Sequence, residues 1–371
     1  MGPEFHRPAW RGRSVATPTY DSVFNIFFLI QHVHCQTLPC PYSQRARIGA
    51  TCYSNNHVTK PITMKLVLYT LALCALLLSS ESFGQKKSKA AATPVPPPQL
   101  DVYNNPEDAL KADRKITSSL KDGEECTYWW EGKVWSRISG EKDRLLFTYI
   151  GMNVRASKTV NDPEKGYGWR HVSRELLFYM DPKTNEILRT WKNPITNEDV
   201  EVFHIANDPV NGRGPTFAKG PTGPYKFKMQ EKEGYFMQTN EVPLFYSNPL
   251  AGDYQDYVGG TYHAMEVFNT IVSKDELLNA SKDKADDVII AWTRISKFLP
   301  WMKMGDKAGW LIFTGTGKKL RGGTDALPDA MKAEMKANYP DYFHAPSVDD
   351  DRPNETSWTY FKKQMEKKKK K

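Results

Sequence analysis

Cysteine is scarce in this chain of 371 residues, and only one of its five cysteines, Cys126, lies beyond residue 84. The others, Cys35, Cys40, Cys52 and Cys74, lie in segments that we do not expect in the folded body. A single cysteine excludes an intrachain disulfide there, and a body of this length buries enough apolar surface to fold without one. Because Cys126 has no activating motif beside it, we interpret it as a small buried residue.

Long apolar runs are also missing beyond residue 84, which argues against a membrane-spanning helix in the body. The run from Leu66 to Leu78 has 13 residues, whereas a span needs roughly 18 or more. It follows Met64 and Lys65, and small residues ending at Gly84 come after it, a pattern typical of a signal peptide. We therefore expect residues 64–84 to be cleaved and the mature protein to be secreted and extracellular. A single membrane anchor is the alternative.

The two ends of the chain carry unusual sequence. Residues 1–63 show no sustained period and contain a Glu4-Phe5 pair that an EcoRI linker encodes, so we interpret them as translated leader or vector sequence. The lysine tail, residues 365–371, ends in five lysines that are either a translated poly(A) tract or a genuine basic tail.

Net positive charge is confined to the ends of the mature chain. Beyond residue 84 there are 44 lysines and arginines against 40 aspartates and glutamates. The five terminal lysines and three lysines near residue 86 more than account for this excess, so the body is mildly acidic. It offers no basic field for phosphates, which excludes nucleic acid as a partner in our interpretation.

The remaining sequence predicts one mainly β domain. Residues 85–105 are rich in lysine, alanine and proline and are predicted to be a disordered linker. From Pro106 to about Leu120 the apolar spacing predicts a helix, with Asn105 as its cap. Beyond Gly123, short aromatic and β-branched runs separated by turn residues predict strands joined by hairpins. The runs are CTYWWEGKVWSRI, RLLFTYIGMNVRA, SRELLFYMD, EILRTWKN, VEVFHIAND, GYFMQTNEVPLFY, TYHAMEVFNTIV, DVIIAWTRI and GWLIFTGTGKKL.

Several of these runs carry large residues at both alternating sets of positions. We therefore predict an antiparallel meander that closes into a barrel-like sheet, within a single domain at residues 106–364. An open sandwich is the alternative, because local pattern does not encode strand order. A C-terminal amphipathic helix is predicted between Asp325 and Tyr339, where four large residues recur every four positions. They are Leu327, Met331, Met335 and Tyr339.

Three segments carry a family resemblance. They are RELLFYMDPKTNEIL from Arg174 to Leu188, WKNPITNEDVEVFHIANDPVN from Trp191 to Asn211, and WTRISKFLPWMKMGDKAGWLIFTGTGKKL from Trp292 to Leu320. On these segments the body resembles the family catalogued as domain of unknown function 1838, found in bacteria and fungi. The resemblance extends over most of the mature chain and implies a single domain without a settled activity.

Histidines near acidic residues are the first candidates for chemistry. A neutral histidine beside a carboxylate can act as a general base, because its pKa lies close to working pH. On this ground His204 with Asp208, and His263 with Glu266, are predicted catalytic residues. No cofactor is then needed. One alternative is a divalent metal held by His204, His263 and Glu266, although the spacing of His263 and Glu266 in a strand favours opposite faces. Another is that both histidines are structural.

Arginines and tryptophans form a second group of candidates. The arginine fork holds a carboxylate or phenolate, and an indole face packs against a ring. Trp292 and Arg294 are two residues apart and share a sheet face. Trp301 lies in FLPWMKMGDK, which is either a lid over a pocket or a plug in one end of the barrel. Alternatively the arginines are structural. The predicted ligand-binding residues are Arg155, Trp169, Arg170, Glu175, Asn207, Trp292, Arg294 and Trp301.

Several common catalytic motifs are absent: the sequence has no Gly-x-Ser-x-Gly, His-Glu-x-x-His or Cys-x-x-Cys. The glycine-rich pieces NGRGP, GPTGP and GTGKKLRGG lack P-loop spacing and are predicted to be turns and loops. Two sequons, at Asn279 and Asn354, are compatible with a secreted glycoprotein.

The high aromatic content favours a small-molecule pocket. We predict a secreted protein that binds an apolar or aromatic small molecule, with acid/base chemistry as its means of transforming it. The alternatives are a non-catalytic carrier or matrix protein, and a metal-dependent, oxygenase-like enzyme. The sequence leaves the oligomeric state open.

Overall fold

A computed structural model describes residues 97–211, 214–250 and 260–370. Its strands are β1 (Cys126–Arg137), β2 (Arg144–Asp162), β3 (Gly166–Met180), β4 (Thr190–Lys192), β5 (Asp199–Glu201), β6 (Ile205–Asn207), β7 (Thr216–Phe217), β8 (Lys219–Gly220), β9 (Gly223–Pro224), β10 (Gln230–Lys232), β11 (Tyr235–Ser247), β12 (Thr261–Ser273), β13 (Val288–Ser296) and β14 (Trp310–Leu320). Its α-helices are α1 (Pro106–Thr117), α2 (Lys274–Leu278), α3 (Asp329–Asn338) and α4 (Ser357–Lys369).

One antiparallel sheet of ten strands dominates the fold. Its order is β10-β11-β12-β13-β14-β1-β2-β3-β6, and β7 also pairs with β3. The prediction of a mainly β fold built from an antiparallel meander is confirmed. The pairing path ends at β10 and β6, and no pairing among the described strands joins these two ends, so the predicted closure is not seen. The predicted signal peptide and leader lie outside the described residues.

Glycines in the middle of the sheet make room for large aromatic side chains. Gly132 of β1 and Gly315 of β14 lie opposite each other, and a Cβ at either would collide with the Tyr149 ring. Gly151 and Gly317 flank Trp130 in the same way. The prediction that GTGKKLRGG is a loop is therefore wrong for its first part: these strand glycines allow close approach instead.

Strand β2 is buried on both faces, which explains its nearly continuous apolar sequence. Its outer face, with that of β3, packs Met152 and Phe178 against Met331 and Met335 of α3. The helix predicted from Asp325 is present, but it begins at Asp329 after Pro328. The sequence analysis did not predict α4, which extends into the lysine tail.

The N-terminal helix agrees with its prediction. Asn105 caps α1, and its side-chain oxygen accepts hydrogen bonds from the backbone N–H groups of Glu107 and Asp108. Ahead of it, the backbone N–H of Leu100 donates to the Leu278 carbonyl (2.8 Å), and Val102 is buried. The last part of the predicted linker therefore packs on the domain.

The segment 298–307 plugs the inner face of the sheet at one end. Trp301 is 3% exposed and contacts the rings of Phe147, Tyr179 and Trp191 at centroid distances of 5.5–5.9 Å. Met302 beside it is fully buried. No helix within the described residues has the length and apolarity needed to cross a membrane.

Candidate functional site

A cavity of about 630 Å³ lies on the inner face of the main sheet. This volume is within the range of small-molecule pockets. Strands from both ends of the sheet line it, so the sheet curls around the cavity, and residues of α1 and the start of α4 complete the wall. Its principal strand residues are Tyr128, Trp130, Asn153, Arg155, His171, Ser173, Glu175, Asn207, Tyr262, Glu266, Phe268, Trp292 and Arg294.

Glu175 is a carboxyl of the cavity wall with a strongly raised pKa. It lies in β3, opposite Asn153 of β2 and Asn207 of β6. Burial raises the pKa of Glu175 to about 7, and the nearby charge of Glu266 adds to this increase, while Arg294, Arg155 and a hydrogen bond from Asn207 oppose it. A carboxyl with this pKa can both hold and release a proton at neutral pH.

Glu266 is a second carboxylate in the same cavity, in a different environment. It lies opposite Arg294 in the β12–β13 pair, and Glu266 Oε1 is 3.3 Å from Arg294 Nη1. Arg294 Nη2 also donates to the hydroxyl of Tyr262. The two side chains of the ion pair are 19% and 12% exposed. The pair keeps the Glu266 carboxylate close enough to Glu175 for its charge to raise the pKa of Glu175.

His171 and Arg155 belong to the same wall, nearer to α1. Burial lowers the pKa of His171 to about 4, and the positive charge of Arg155 lowers it further. The imidazole is therefore neutral at pH 7. Arg155 lies above the Tyr128 ring, with its guanidinium carbon 4.8 Å from the ring centroid.

The structure brings six of the predicted site residues together in this cavity: Arg155, Glu175, Asn207, Glu266, Trp292 and Arg294. Three predicted ligand-binding residues lie elsewhere. Trp169 packs with Leu110 of α1 and Ala218. Arg170 points to the other face of β3 and donates to the Asp350 carbonyl. Trp301 is in the core plug.

The two predicted catalytic histidines are not in the cavity wall. His204 is 5% exposed, and its Nδ1 accepts a hydrogen bond from the Tyr179 backbone N–H (3.1 Å). Burial lowers the pKa of His204 to about 4. His263 is exposed on the outer face of β12, between the rings of Phe245 and Trp310.

Neither histidine is paired with its predicted carboxylate. Asp208 instead forms ion pairs with Arg174 (3.1 Å) and Arg352 (2.8 Å). Glu266 faces the cavity, on the side of β12 opposite His263, because the two residues are an odd number of positions apart.

The alternative metal set is not assembled either. His204, His263 and Glu266 lie in three separate environments, and the described part of the chain holds no group of three or more histidine, cysteine, aspartate or glutamate residues suited to a metal ion.

The sequence analysis missed several cavity residues, among them His171, Asn153 and Tyr262. The signal that would have found them is alternation. His171, Ser173 and Glu175 occupy every second position of one strand, as do Asn153 and Arg155 of its neighbour, so each set shares one face.

A family model described as a protein of unknown function (DUF1838) matches residues 123–365. The chain belongs to the DUF1838 family. The predicted resemblance is thus confirmed, and the DUF1838 match includes every strand of the main sheet together with the start of α4. Among the described segments that line the cavity, only α1 lies before the first matched residue. The comparison with curated proteins gave no match.

Proposed function

We propose that this DUF1838 protein binds a small apolar or aromatic molecule in its cavity and transforms it, without a cofactor, by acid/base chemistry at Glu175. The observation that carries the proposal is the position of Glu175: a carboxyl with a pKa near 7 lines a cavity of ligand size. Perturbed titratable groups in clefts mark candidate sites for chemistry.

The cavity wall supplies surface for a ring. Trp292 lies between Phe268 and Phe313, with centroid distances of 6.5 and 5.6 Å. Both Trp292 and Phe268 line the cavity, and Trp130 lines it from β1. Aromatic faces of this kind bury a flat ligand and prefer offset or tilted ring contacts.

The two carboxyl groups, Glu175 and Glu266, have different roles in the proposed chemistry. Glu266 is held by Arg294 and supplies a fixed charge, while Glu175 exchanges its proton near neutral pH. Carboxyl groups in contrasting environments are the usual basis for separate acid and electrostatic roles. In the proposed step, Glu175 gives a proton to, or takes one from, the ligand atom nearest to it.

We further infer that the curled sheet works as a barrel-like enclosure, with the start of α4 in the gap between its ends. The Glu355 carboxylate accepts from the Asp208 backbone N–H (3.0 Å), just after β6. The Trp358 ring contacts Tyr262 of β12 at 5.1 Å. Residues 355–358 thus contact the chain just after β6, at one end of the sheet, and β12, the third strand from the other end, which supports a barrel-like wall.

The test compares the small molecules that copurify with wild type and with Glu175→Gln, expressed in the native host. If Glu175 transforms the ligand, the variant should retain a substrate whose mass differs from anything retained by wild type. Glu131→Gln, an exposed strand glutamate on the outer face, is the matched control and should behave as wild type. If the same small molecule copurified with all three proteins, the result would indicate binding without transformation, as in a carrier.

Export is part of the proposal and rests on the sequence of residues 64–84. We expect the mature protein in the culture medium, with its N-terminus near Gln85. Intact mass and N-terminal sequencing of protein from medium and cells check this, and recovery of an uncleaved chain from the membrane fraction would support the anchor instead.

A further inference from the structure

We infer that the molecule bound in this cavity is an organic anion, an apolar or aromatic carboxylate, gripped by the two terminal nitrogens of Arg155. The inference rests on the proposed function, because it specifies the ligand class of the same cavity. It depends on the two contacts that orient the Arg155 guanidinium and on the lack of a carboxylate partner for Arg155 among the described residues.

Two contacts fix the plane of the Arg155 guanidinium. Its Nε donates to the side-chain oxygen of Asn153, the residue two positions earlier in β2. Its guanidinium carbon lies 4.8 Å from the centre of the Tyr128 ring, which stacks beneath it. Neither contact supplies a full negative charge. The side chain is therefore oriented in advance, while its charge is not neutralised by either neighbour.

Two other buried or half-buried arginines that lie near the cavity or its rim, Arg294 and Arg174, have a carboxylate partner. Arg294 pairs with Glu266 at 3.3 Å, and Arg174 pairs with Asp208 at 3.1 Å. Within the described residues, Arg155 has no carboxylate at ion-pair distance, and its Nη1 and Nη2 donate to no protein acceptor. A cation removed from water without a counter-charge is costly. Burial accordingly lowers the pKa of Arg155.

The free edge of the guanidinium matches a carboxylate. Two parallel N–H donors bind two carboxylate oxygens, a geometry that lysine does not offer. Arg155 lies opposite Ser173, and Glu175 follows two positions later on the same face. The charge of Glu175 is coupled to both Arg155 and Arg294. A carboxylate on Arg155 thus places the adjoining atoms of the ligand beside Glu175.

This arrangement links anion binding to a proton. An anion on Arg155 cancels part of the positive charge that favours ionised Glu175, so the bound state should favour protonated Glu175. By reciprocity, ionisation of Glu175 should weaken binding of the anion. The affinity for an anion should therefore fall as pH rises through about 7, whereas the affinity for a neutral ligand should not.

The test uses a matched pair of compounds, 2-naphthoate and 2-naphthamide, titrated calorimetrically into the mature protein at pH 6. They share ring system and size and differ in charge. We expect naphthoate to bind wild type about 10- to 100-fold more tightly than the amide, the range typical of hydrogen bonds between charged groups. Arg155→Met should remove this preference and change the affinity for the amide by less than about twofold.

Arg170→Met is the control for loss of an arginine. Arg170 lies on the other face of β3, where its guanidinium donates to the Asp350 carbonyl, and its removal should leave both affinities unchanged. Arg155→Lys keeps the charge without the fork and should retain only part of the preference. If Arg155→Met fails to fold by circular dichroism, the lysine variant still provides the comparison.

A second pair of variants locates the binding. Thr270 lines the cavity, and Thr239 points from the neighbouring strand to the outer face. Thr270→Trp should weaken both compounds by filling the cavity, whereas Thr239→Trp should not.

Equal affinity of wild type for naphthoate and naphthamide, unaltered in Arg155→Met, would overturn the anion inference and leave a cavity for neutral ligands. Failure of both compounds to bind at millimolar concentration would overturn the proposed ligand site itself, and the anion inference with it. The two failures are therefore distinguishable.

Discussion

Three side chains in one cavity have their charge set by different surroundings. Burial keeps His171 neutral, burial and a neighbouring carboxylate raise the pKa of Glu175 to about 7, and Arg294 holds Glu266 in an ion pair. The same burial acts on an acid and a base in opposite senses, because it always disfavours the charged form. The site therefore contains a neutral base, a fixed anion and an acid that titrates near neutrality.

Glu175 should titrate well above an ordinary glutamate. We expect a change in tryptophan fluorescence with a midpoint near pH 7, because Trp130 and Trp292 line the same cavity. Glu175→Gln should lose this transition, and Glu131→Gln should keep it. Carboxyl-labelled glutamate followed by NMR from pH 4 to 9 measures the same pKa directly. A midpoint near the usual 4.3 for Glu175 would contradict the prediction.

Sequence reasoning found part of this site because of strand alternation. Trp292 and Arg294 were assigned to one face from their spacing, and both line the cavity. It failed for the histidines because adjacency in sequence does not bring side chains together in a strand: His263 and Glu266 are close in the chain and point to opposite faces. The raised pKa of Glu175 depends on burial and on the charge of Glu266 in another strand, which no local pattern reveals.

At the scale of elements, one buried cation, Arg114, links α1 to the sheet by hydrogen bonds. Arg114 is fully buried and donates to the Ser119 carbonyl, the Ser157 hydroxyl and the Asp122 carboxylate, at 2.7–3.0 Å. It also donates to Thr159 and Tyr167 of β2 and β3. The helix residues Asp113 and Ile116 line the cavity. The position of α1 therefore fixes one side of the cavity.

Replacing Arg114 should destabilise the domain strongly. Arg114→Met removes a buried cation, whose partner Asp122 is half-exposed, and leaves several polar groups unsatisfied, which costs on the order of 2–4 kcal/mol. Lys111→Met, one turn earlier, loses a half-exposed pair with Glu107 and a cation–π contact with the Tyr167 ring, and should cost about 1 kcal/mol or less. Urea unfolding at pH 7 compares the two. Equal losses would show that the network contributes little.

Elements with a strong local signal were predicted well, and those shaped by tertiary contacts were not. Aromatic and β-branched runs gave the long strands β1, β11, β12, β13 and β14 to within one residue of their observed bounds, whereas the run for β2 ended about six residues too early. The glycines of β14 were predicted both as part of a strand, in GWLIFTGTGKKL, and as loop residues, in GTGKKLRGG, because their role depends on Tyr149, far away in sequence. Helix α4 was missed because its lysine-rich sequence buries only Trp358 and Phe361.

At the scale of the whole molecule, some buried titratable groups make the free energy of unfolding rise with pH, and others make it fall. The pKa values of His171 and His204 are lowered to about 4 in the folded state. The unfolded chain therefore binds more protons between about pH 4 and 6.5, and the free energy of unfolding rises with pH there. The pKa of Glu175 is raised to about 7. The folded chain binds the extra proton between about pH 4.3 and 7, so this contribution falls with pH.

His171 and His204 oppose Glu175 and Asp113, whose pKa is also raised by burial, so the prediction concerns how the slope of each variant differs from that of wild type between pH 4.5 and 6.5. Glu175→Gln removes one falling contribution, and its slope should therefore be more positive than that of wild type over this interval. His171→Asn should have a less positive slope, because one rising contribution is lost. Urea unfolding at half-unit pH steps gives the three slopes, and Glu131→Gln should run parallel to wild type. Parallel curves for Glu175→Gln and wild type would mean that the carboxyl of Glu175 titrates alike in the folded and unfolded chains, which would remove the acid/base assignment.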